Sequence, residues 1–280
     1  MTDQPPRILC QPDGAKSCGA CCGMYNHIDH GPSATRRRLT ARTLQFHKQV
    51  DVTDTESLAQ FRERYEDGDD VKMLTALPSC PFLGFIDLDG DDDSSQGSKV
   101  GCLVHPAQNG GVDGRDCGVY DRFICDEYLC AAHDVLRRDE VQLVVDAVED
   151  SYLYGLLITN PKYVRHLLKL VADRVGARPD SRQLRDKTVI DAAGDCFELM
   201  RRWSFRGEEG IYGQVRVDAD LNMKRRPLPA EKHGVDAEPV DVLLVCLGTE
   251  CEDVEQLHRA RRIVDDRVEA LARAVAELRP

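Results

Sequence analysis

The sequence is poor in aromatic residues and in long apolar runs. Aromatic side chains make up 6% of its 280 residues. The longest unbroken apolar run, from Val242 to Leu247, is far shorter than the roughly 20 residues that a membrane-spanning helix needs. The first residues carry no apolar stretch of the kind that forms a secretory signal. We therefore expect a cytoplasmic protein without a membrane partner.

Positive charge is also scarce. The chain has 37 Lys and Arg residues against 49 Asp and Glu residues, which gives a formal net charge of −12. Binding to nucleic acid is driven largely by the counterions that are released when basic side chains neutralise phosphates. The two short basic runs, at residues 36–38 and 224–226, have no interleaved aromatic residues. We therefore expect no nucleic-acid partner.

Cysteine, in contrast, is abundant and unevenly placed. Nine of the 12 cysteines lie between residues 10 and 130, and three of them fall within residues 18–22. Because cytoplasmic thiols stay reduced, such a cluster favours metal binding over a disulfide framework. The Cys18-x-x-Cys21 spacing lets one tight turn aim two sulfurs at one metal ion. The candidate metal ligands are Cys10, Cys18, Cys21, Cys22, Cys80, Cys102, Cys117, Cys125 and Cys130.

A cysteine can also be a small buried apolar residue, and this alternative applies unequally along the chain. It is weak for residues 18–22, which lie in a Gly-rich segment with little apolar material. It is stronger for Cys125 and Cys130, which follow or occupy the apolar stretch 120–129. Cys196 and Cys246 lie within apolar patterns and are predicted to belong to the core.

Cys21 and Cys22 are adjacent, so their side chains must diverge. Both bind metal only if they face different metals or different corners of one cluster. Otherwise, one of the two lies outside the ligand shell.

Three motifs together resemble the YkgJ-type cysteine-cluster family, whose members are described as zinc- or iron-chelating domains. The motifs are Cys18-Gly19-Ala20-Cys21-Cys22-Gly23, Cys80-Pro81-Phe82-Leu83 and Cys102-Leu103-Val104-His105. The resemblance covers roughly residues 10–130, and it implies metal binding at Cys18, Cys21, Cys22, Cys80, Cys102, Cys117 and one later cysteine. The chain departs from the family pattern at Ala15, where the family usually has a further cysteine, and it lacks the family's Arg-Pro pair.

The ligand pattern favours an iron–sulfur cluster over zinc. Structural zinc sites usually pair two closely spaced knuckles, whereas this chain has one knuckle and several scattered single cysteines. The first functional interpretation is therefore a metal-cluster protein whose centre has a redox or catalytic role. The second is a zinc-stapled module that binds a protein partner and has no enzymatic activity. No Gly-rich phosphate loop, HExxH or GxSxG pattern is present, so the sequence assigns no reaction.

The predicted fold class is α+β. Residues 1–133 are expected to form a loop-rich, cysteine-cluster metal-binding region with a β-hairpin built from residues 82–88 and 99–104. Residues 134–280 are expected to form a mostly helical region with a few strands and a long C-terminal helix, either as a separate domain or packed with the first. Strands are predicted at 211–217 and 240–247, and the last helix is predicted to begin with a capping box at Thr249 and Glu252.

Overall fold

A computed structural model describes residues 9–66, 72–74, 77–88, 99–207, 215–217 and 223–278. The chain forms two compact units. The first unit comprises residues 1–130 and 150–155, and the second comprises residues 131–149 and 156–280. All nine candidate ligands belong to the first unit. The sequence-based division after residue 133 stays a prediction about independently folding domains.

The first unit combines helices with one small antiparallel hairpin. Helix α1 spans Pro32–Gln49 and α2 spans Thr55–Glu66, while strands β1 (Leu83–Phe85) and β2 (Val100–Cys102) form the hairpin. Two 3-10 turns, Pro106–Gln108 and Arg115–Cys117, precede the short helix α3 (Arg122–Glu127). The hairpin is confirmed in position, although its strands are shorter than predicted. The predicted polar tip of the hairpin, at residues 89–97, lies outside the described residues.

An apolar cluster joins these elements. Phe46 of α1, Phe61 of α2 and Phe82 beside β1 contact one another, with ring centroids 5.5 Å and 5.9 Å from the ring of Phe61. Leu58, Leu103 and Val104 complete the buried cluster. The hairpin and both helices pack against this shared core. The core therefore holds the strand ends, and the loops attached to them, in place.

The second unit is mostly helical. Its elements are α4 (Ala132–Val135), α5 (Arg138–Ala147), the later part of α6 (Ser151–Ile158), α7 (Pro161–Val175), α8 (Lys187–Phe197), α9 (Leu199–Arg202), strands β3 (Val215–Val217) and β4 (Met223–Arg225), α10 (Pro229–His233), α11 (Asp241–Cys246) and α12 (Val254–Glu277). A 3-10 turn at Gln183–Arg185 precedes α8. The mostly helical character and the long C-terminal helix are confirmed. None of the helices in the described part of the chain is both long enough and apolar enough to cross a bilayer.

The long helix α12 packs against α7 and α8 through one buried face. Arg261 interrupts the apolar stripe of that face, and its guanidinium is buried. Its Nη2 and Nε atoms lie 2.7 Å and 2.8 Å from the two carboxylate oxygens of Asp241 on α11. The break in the stripe is thus a buried ion pair that joins two helices.

Two sequence-based predictions in the second unit are wrong. Residues 240–247 were predicted as a strand but form α11, whose Leu243, Leu244 and Cys246 are all buried. A short run that is apolar on every side has no periodicity, so a strand and a buried helix look alike in the sequence. Helix α12 begins after Asp253, whose carboxylate accepts a hydrogen bond from the backbone N–H of Gln256. Thr249 does not cap it and instead accepts a hydrogen bond from the indole of Trp203.

Candidate metal centre

The N-terminal loop brings Cys10 and Cys18 together. The backbone N–H of Cys18 donates to the carbonyl of Cys10 at 2.8 Å. The hydroxyl of Tyr154 donates to the carbonyl of Leu9, which fixes the start of the loop. Ser17 donates a hydrogen bond through its hydroxyl to the carbonyl of Val100 on β2. The loop is therefore closed on itself and attached to the hairpin.

The Cys18–Cys22 knuckle turns tightly and ends at Gly23. The backbone N–H of Gly23 donates to the carbonyl of Ala20 at 2.9 Å. Gly23 has a φ of +84°, which side chains with a Cβ rarely adopt. A Cβ at this position would also lie only 2.7 Å from the Cα of Ser79. Glycine is therefore required both by the turn and by the close approach of the next segment.

That approach brings Cys80 to the knuckle. The backbone N–H of Cys80 donates to the carbonyl of Cys22 at 2.9 Å. Leu83 then pairs with Cys102 across the hairpin, and its N–H lies 3.3 Å from the carbonyl of Cys80. Cys22, Cys80 and Cys102 thus reach one end of the hairpin from three different segments.

The thiols of Cys10, Cys18, Cys21 and Cys130 interact electrostatically, and we call them set A. The pKa of Cys18 is raised to about 12, mainly by burial and to a smaller extent by the neighbouring thiols of set A, against a backbone hydrogen bond that lowers it. Burial, followed by Cys130 and Cys10, raises the pKa of Cys21 to about 11. The pKa of Cys10 is also raised, by burial and then by Cys130. Like charges raise a thiol pKa only when they are close, so set A is a spatial group.

A second group, set B, consists of Cys22, Cys80, Cys102 and Cys125. Burial raises the pKa of Cys22 well above its usual value, and Cys80, Cys102 and Cys125 are its next strongest influences. Burial, and then Cys80, raises the pKa of Cys102 to about 12. The pKa of Cys125 is raised by burial and by Cys80. Cys21 has a weaker influence on Cys22, as expected for a residue that faces the other set.

Backbone N–H groups point at several of these sulfurs. The N–H of Ala20 hydrogen bonds to Cys18, that of Phe82 to Cys80 and that of Val104 to Cys102, and each bond favours the thiolate. In these three cases the donor is two residues beyond the cysteine, and Cys80 accepts a further hydrogen bond from the N–H of Val119. Hydrogen bonds to the sulfurs tune the potential of iron–sulfur clusters.

Three arginines that no sequence motif marks lie beside set B. Buried Arg42 of α1 donates to the carbonyl of Cys80 at 3.1 Å, and Arg62 of α2 donates to the carbonyl of Gly118 at 2.9 Å. Both arginines lower the pKa of Cys80, after burial and backbone hydrogen bonds have had their larger effects. Arg115 lowers the pKa of Cys102 and Cys125 in the same way. The signal in the sequence is that Arg42 lies three residues after Leu39 and four before Phe46, on the face of α1 that proves to be buried.

The segment that carries Cys125 and Cys130 has no core of its own. Residues 121–129 are all exposed, and we call this segment the strap. Its apolar side chains are outside, with Phe123 exposed by 68% and Leu129 by 59%. The strap is held by Asp126, which pairs with Arg115, and by Arg122, which pairs with Asp116. The apolar stretch that favoured core packing for Cys125 and Cys130 is therefore an exposed surface.

The remaining cysteines lie elsewhere. Cys117 ends the second 3-10 turn and packs against the apolar cluster, as Cys80 and Cys102 also do. It is the one candidate of the nine that is not among the charge partners that define sets A and B. Cys196 and Cys246 are buried at 0% and 1% exposure, which confirms their assignment to the core. None of the 12 cysteines, all of them in described segments, forms a disulfide.

The side chains of sets A and B are of the chemical type that a thiophilic metal binds. Sets A and B each supply four sulfurs, and N–H donors and arginines offset the negative charge that thiolates would carry. Within the described ranges, no three His, Cys, Asp or Glu side chains converge closely enough to enclose one ion. The sulfurs of each set are thus close enough to influence one another's pKa, but they do not form a closed ligand shell around one point.

Comparisons with protein-family models, with curated proteins and with solved structures find no match.

Proposed function

We propose that this protein binds metal through the cysteines of its first unit, as an iron–sulfur protein or, as the alternative, a zinc protein. The observation that carries the proposal is the gathering of eight cysteines from four separate segments around one hairpin end and one knuckle. Burial raises the pKa of seven of these thiols, which belong to Cys10, Cys18, Cys21, Cys22, Cys80, Cys102 and Cys125. Neighbouring thiols also raise the pKa of all of these except Cys80. A bound cation supplies the opposite charge that lets them ionise, because a coordinating thiol loses its proton.

The chemistry of the ligands favours iron–sulfur. Both sets contain only sulfur, several sulfurs accept backbone N–H bonds, and arginines neighbour set B. These are features by which a protein adjusts the reduction potential of a cluster. A cytoplasmic compartment, in which thiols stay reduced, suits either metal. The centre then serves a redox or catalytic role.

The exposed strap favours the second candidate function. Phe123, Ile124, Tyr128 and Leu129 are exposed large apolar residues on one short segment, and exposed apolar groups of this kind are common at protein interfaces. In this interpretation zinc holds the strap in place, and the strap contacts a protein partner without enzymatic activity.

Metal and acid-labile sulfide analysis of protein purified without oxygen tests the proposal. We expect iron and sulfide in similar amounts with broad visible absorption, whereas a colourless protein with bound zinc supports the alternative. Cys18→Ser should lower bound metal sharply, since a hydroxyl is a harder and less acidic ligand than a thiol. Cys196→Ser is the matched control and should retain the metal. Wild-type protein with less than one metal per chain and freely reactive thiols would overturn the proposal.

A further inference from the structure

We propose that eight of the nine cysteines form two separate four-thiol metal centres. Centre A consists of set A (Cys10, Cys18, Cys21 and Cys130), and centre B consists of set B (Cys22, Cys80, Cys102 and Cys125). Cys117 belongs to neither. The inference rests on the proposed function, because it divides the ligands of the metal binding proposed there. Each centre has the four-sulfur set that one zinc ion or one [4Fe–4S] cluster takes.

The backbone keeps the two centres apart at the knuckle. The Cys18 N–H bonds to the Cys10 carbonyl, which ties the start of the knuckle to the N-terminal loop. The Cys22 carbonyl accepts from the Cys80 N–H, which ties its end to the hairpin segment. Consecutive side chains cannot aim at one point from such a turn. The Cys21–Cys22 peptide is therefore the boundary between the two centres.

The strap crosses the same boundary from the other side. Cys125 lies within α3 and interacts with Cys80, whereas Cys130 lies beyond the end of α3 and interacts with Cys10 and Cys21. Because residues 121–129 are exposed throughout, they contribute little buried apolar area that could fix the positions of the two cysteines. Metal bonds at Cys125, in the middle of the strap, and at Cys130, directly after it, supply that attachment.

The two centres differ in their access to solvent. In centre A, Cys10 and Cys21 are exposed, whereas in centre B only Cys125 is exposed. Arg42, Arg62 and Arg115 are charge partners of centre B, and they offset the negative charge of its thiolates. A chelator should therefore remove metal from centre A before centre B.

The adjacent variants Cys21→Ser and Cys22→Ser provide the sharpest test, with Cys117→Ser as the control. We expect each adjacent variant to lose about half of the metal, the double variant to lose nearly all of it, and the control to keep it. Wild-type protein without metal would contradict the proposed function itself. Metal-replete wild-type protein, in which Cys21→Ser keeps all of its metal or Cys117→Ser loses half, would contradict only the division into two centres.

A measurement on the wild-type protein tests the division into two centres even if a variant fails to fold. Partial chelation is followed by alkylation of the freed thiols and mass spectrometry of the peptides. We expect Cys10, Cys18, Cys21 and Cys130 to become alkylated together in an early phase, and the thiols of centre B in a later one. Simultaneous alkylation of Cys21 and Cys22 would overturn the inference.

Discussion

At the residue scale, Gly23 shows how one position controls the placement of several candidate ligands. It closes the knuckle through a backbone bond to Ala20 and lets Ser79, the neighbour of Cys80, approach its backbone. Neither role uses a side chain. Both depend on the absence of a Cβ at a positive φ.

Gly23→Ala should therefore lower both stability and bound metal. A left-handed conformation costs a residue with a Cβ about 1–2 kcal/mol, and the contact with Ser79 adds to this cost. Thermal unfolding and metal content per chain are the measurements. Gly14→Ala is the control, because a Cβ there would meet no atom within 4 Å. Equal metal content in the two variants would show that the knuckle tolerates a Cβ.

At the element scale, a buried salt bridge between Arg261 of α12 and Asp241 of α11 joins two helices of the second unit. Both side chains are buried, with exposures of 5% and 0%. Arg261 also donates to the backbone carbonyl of Asp236 at 2.9 Å. The charges are therefore paired and hydrogen-bonded, which a buried ion pair requires.

Arg261→Ala should destabilise the protein by roughly 3–5 kcal/mol, because it leaves the Asp241 carboxylate buried without its cation. Chemical denaturation followed by circular dichroism measures the change. Replacing both residues, as in Asp241→Leu with Arg261→Met, should recover a large part of the loss, since no buried charge remains. A double variant less stable than Arg261→Ala would refute this account.

The strap is the element whose order should depend most on metal. Its exposed Phe123 and Tyr128 are cleavage sites for chymotrypsin, and its side chains bury little apolar surface. We expect metal removal to accelerate cleavage within residues 121–129 several-fold. Timed digestion with mass spectrometry of the fragments checks this. Cleavage at Phe46, which is buried in the apolar cluster, is the internal control and should lag behind.

At the scale of the whole molecule, the candidate ligands and the longest described helix, α12, belong to different compact units. The nine cysteines lie in the first unit, whereas α7, α8 and α12 pack together in the second. The core of the second unit contains buried apolar residues such as Leu257, Val264 and Val268, and none of the nine candidate ligands belongs to this unit.

Removal of metal from the full-length protein by a chelator should therefore lower the stability of the first unit more than that of the second. We expect the unfolding transition of the first unit to move to lower temperature, because thiolate–metal binding contributes on the order of 10 kcal/mol in structural zinc sites. The transition of the second unit should move little. Calorimetry, with hydrogen exchange to assign each transition, is the measurement. Equal shifts of both transitions would mean that the second unit also depends on metal.

Elements whose signals are local could be predicted from the pattern of residues along the chain. The hairpin and the long last helix follow from spacing and from turn residues, and the core positions of Cys196 and Cys246 follow from their apolar neighbours. The density of cysteines likewise indicated the candidate ligands, since that signal depends on residue type and not on folding. The strand prediction for residues 240–247 was wrong because an apolar run that is buried on all sides has no hydrophobic periodicity that distinguishes a strand from a helix.

The grouping of the cysteines and the charges that surround them follow from the folding of the chain and could not be predicted from residue spacing. Cys21 and Cys22 are neighbours in the chain, yet they fall into different sets because the knuckle is tied to the Cys10 loop at one end and to Cys80 at the other. Arg42 lies beside Cys80 through the packing of α1 on β1, a contact that no local pattern encodes. Such long-range proximity depends on the whole core of the unit, which is why residue spacing alone predicted the ligands but not their partners.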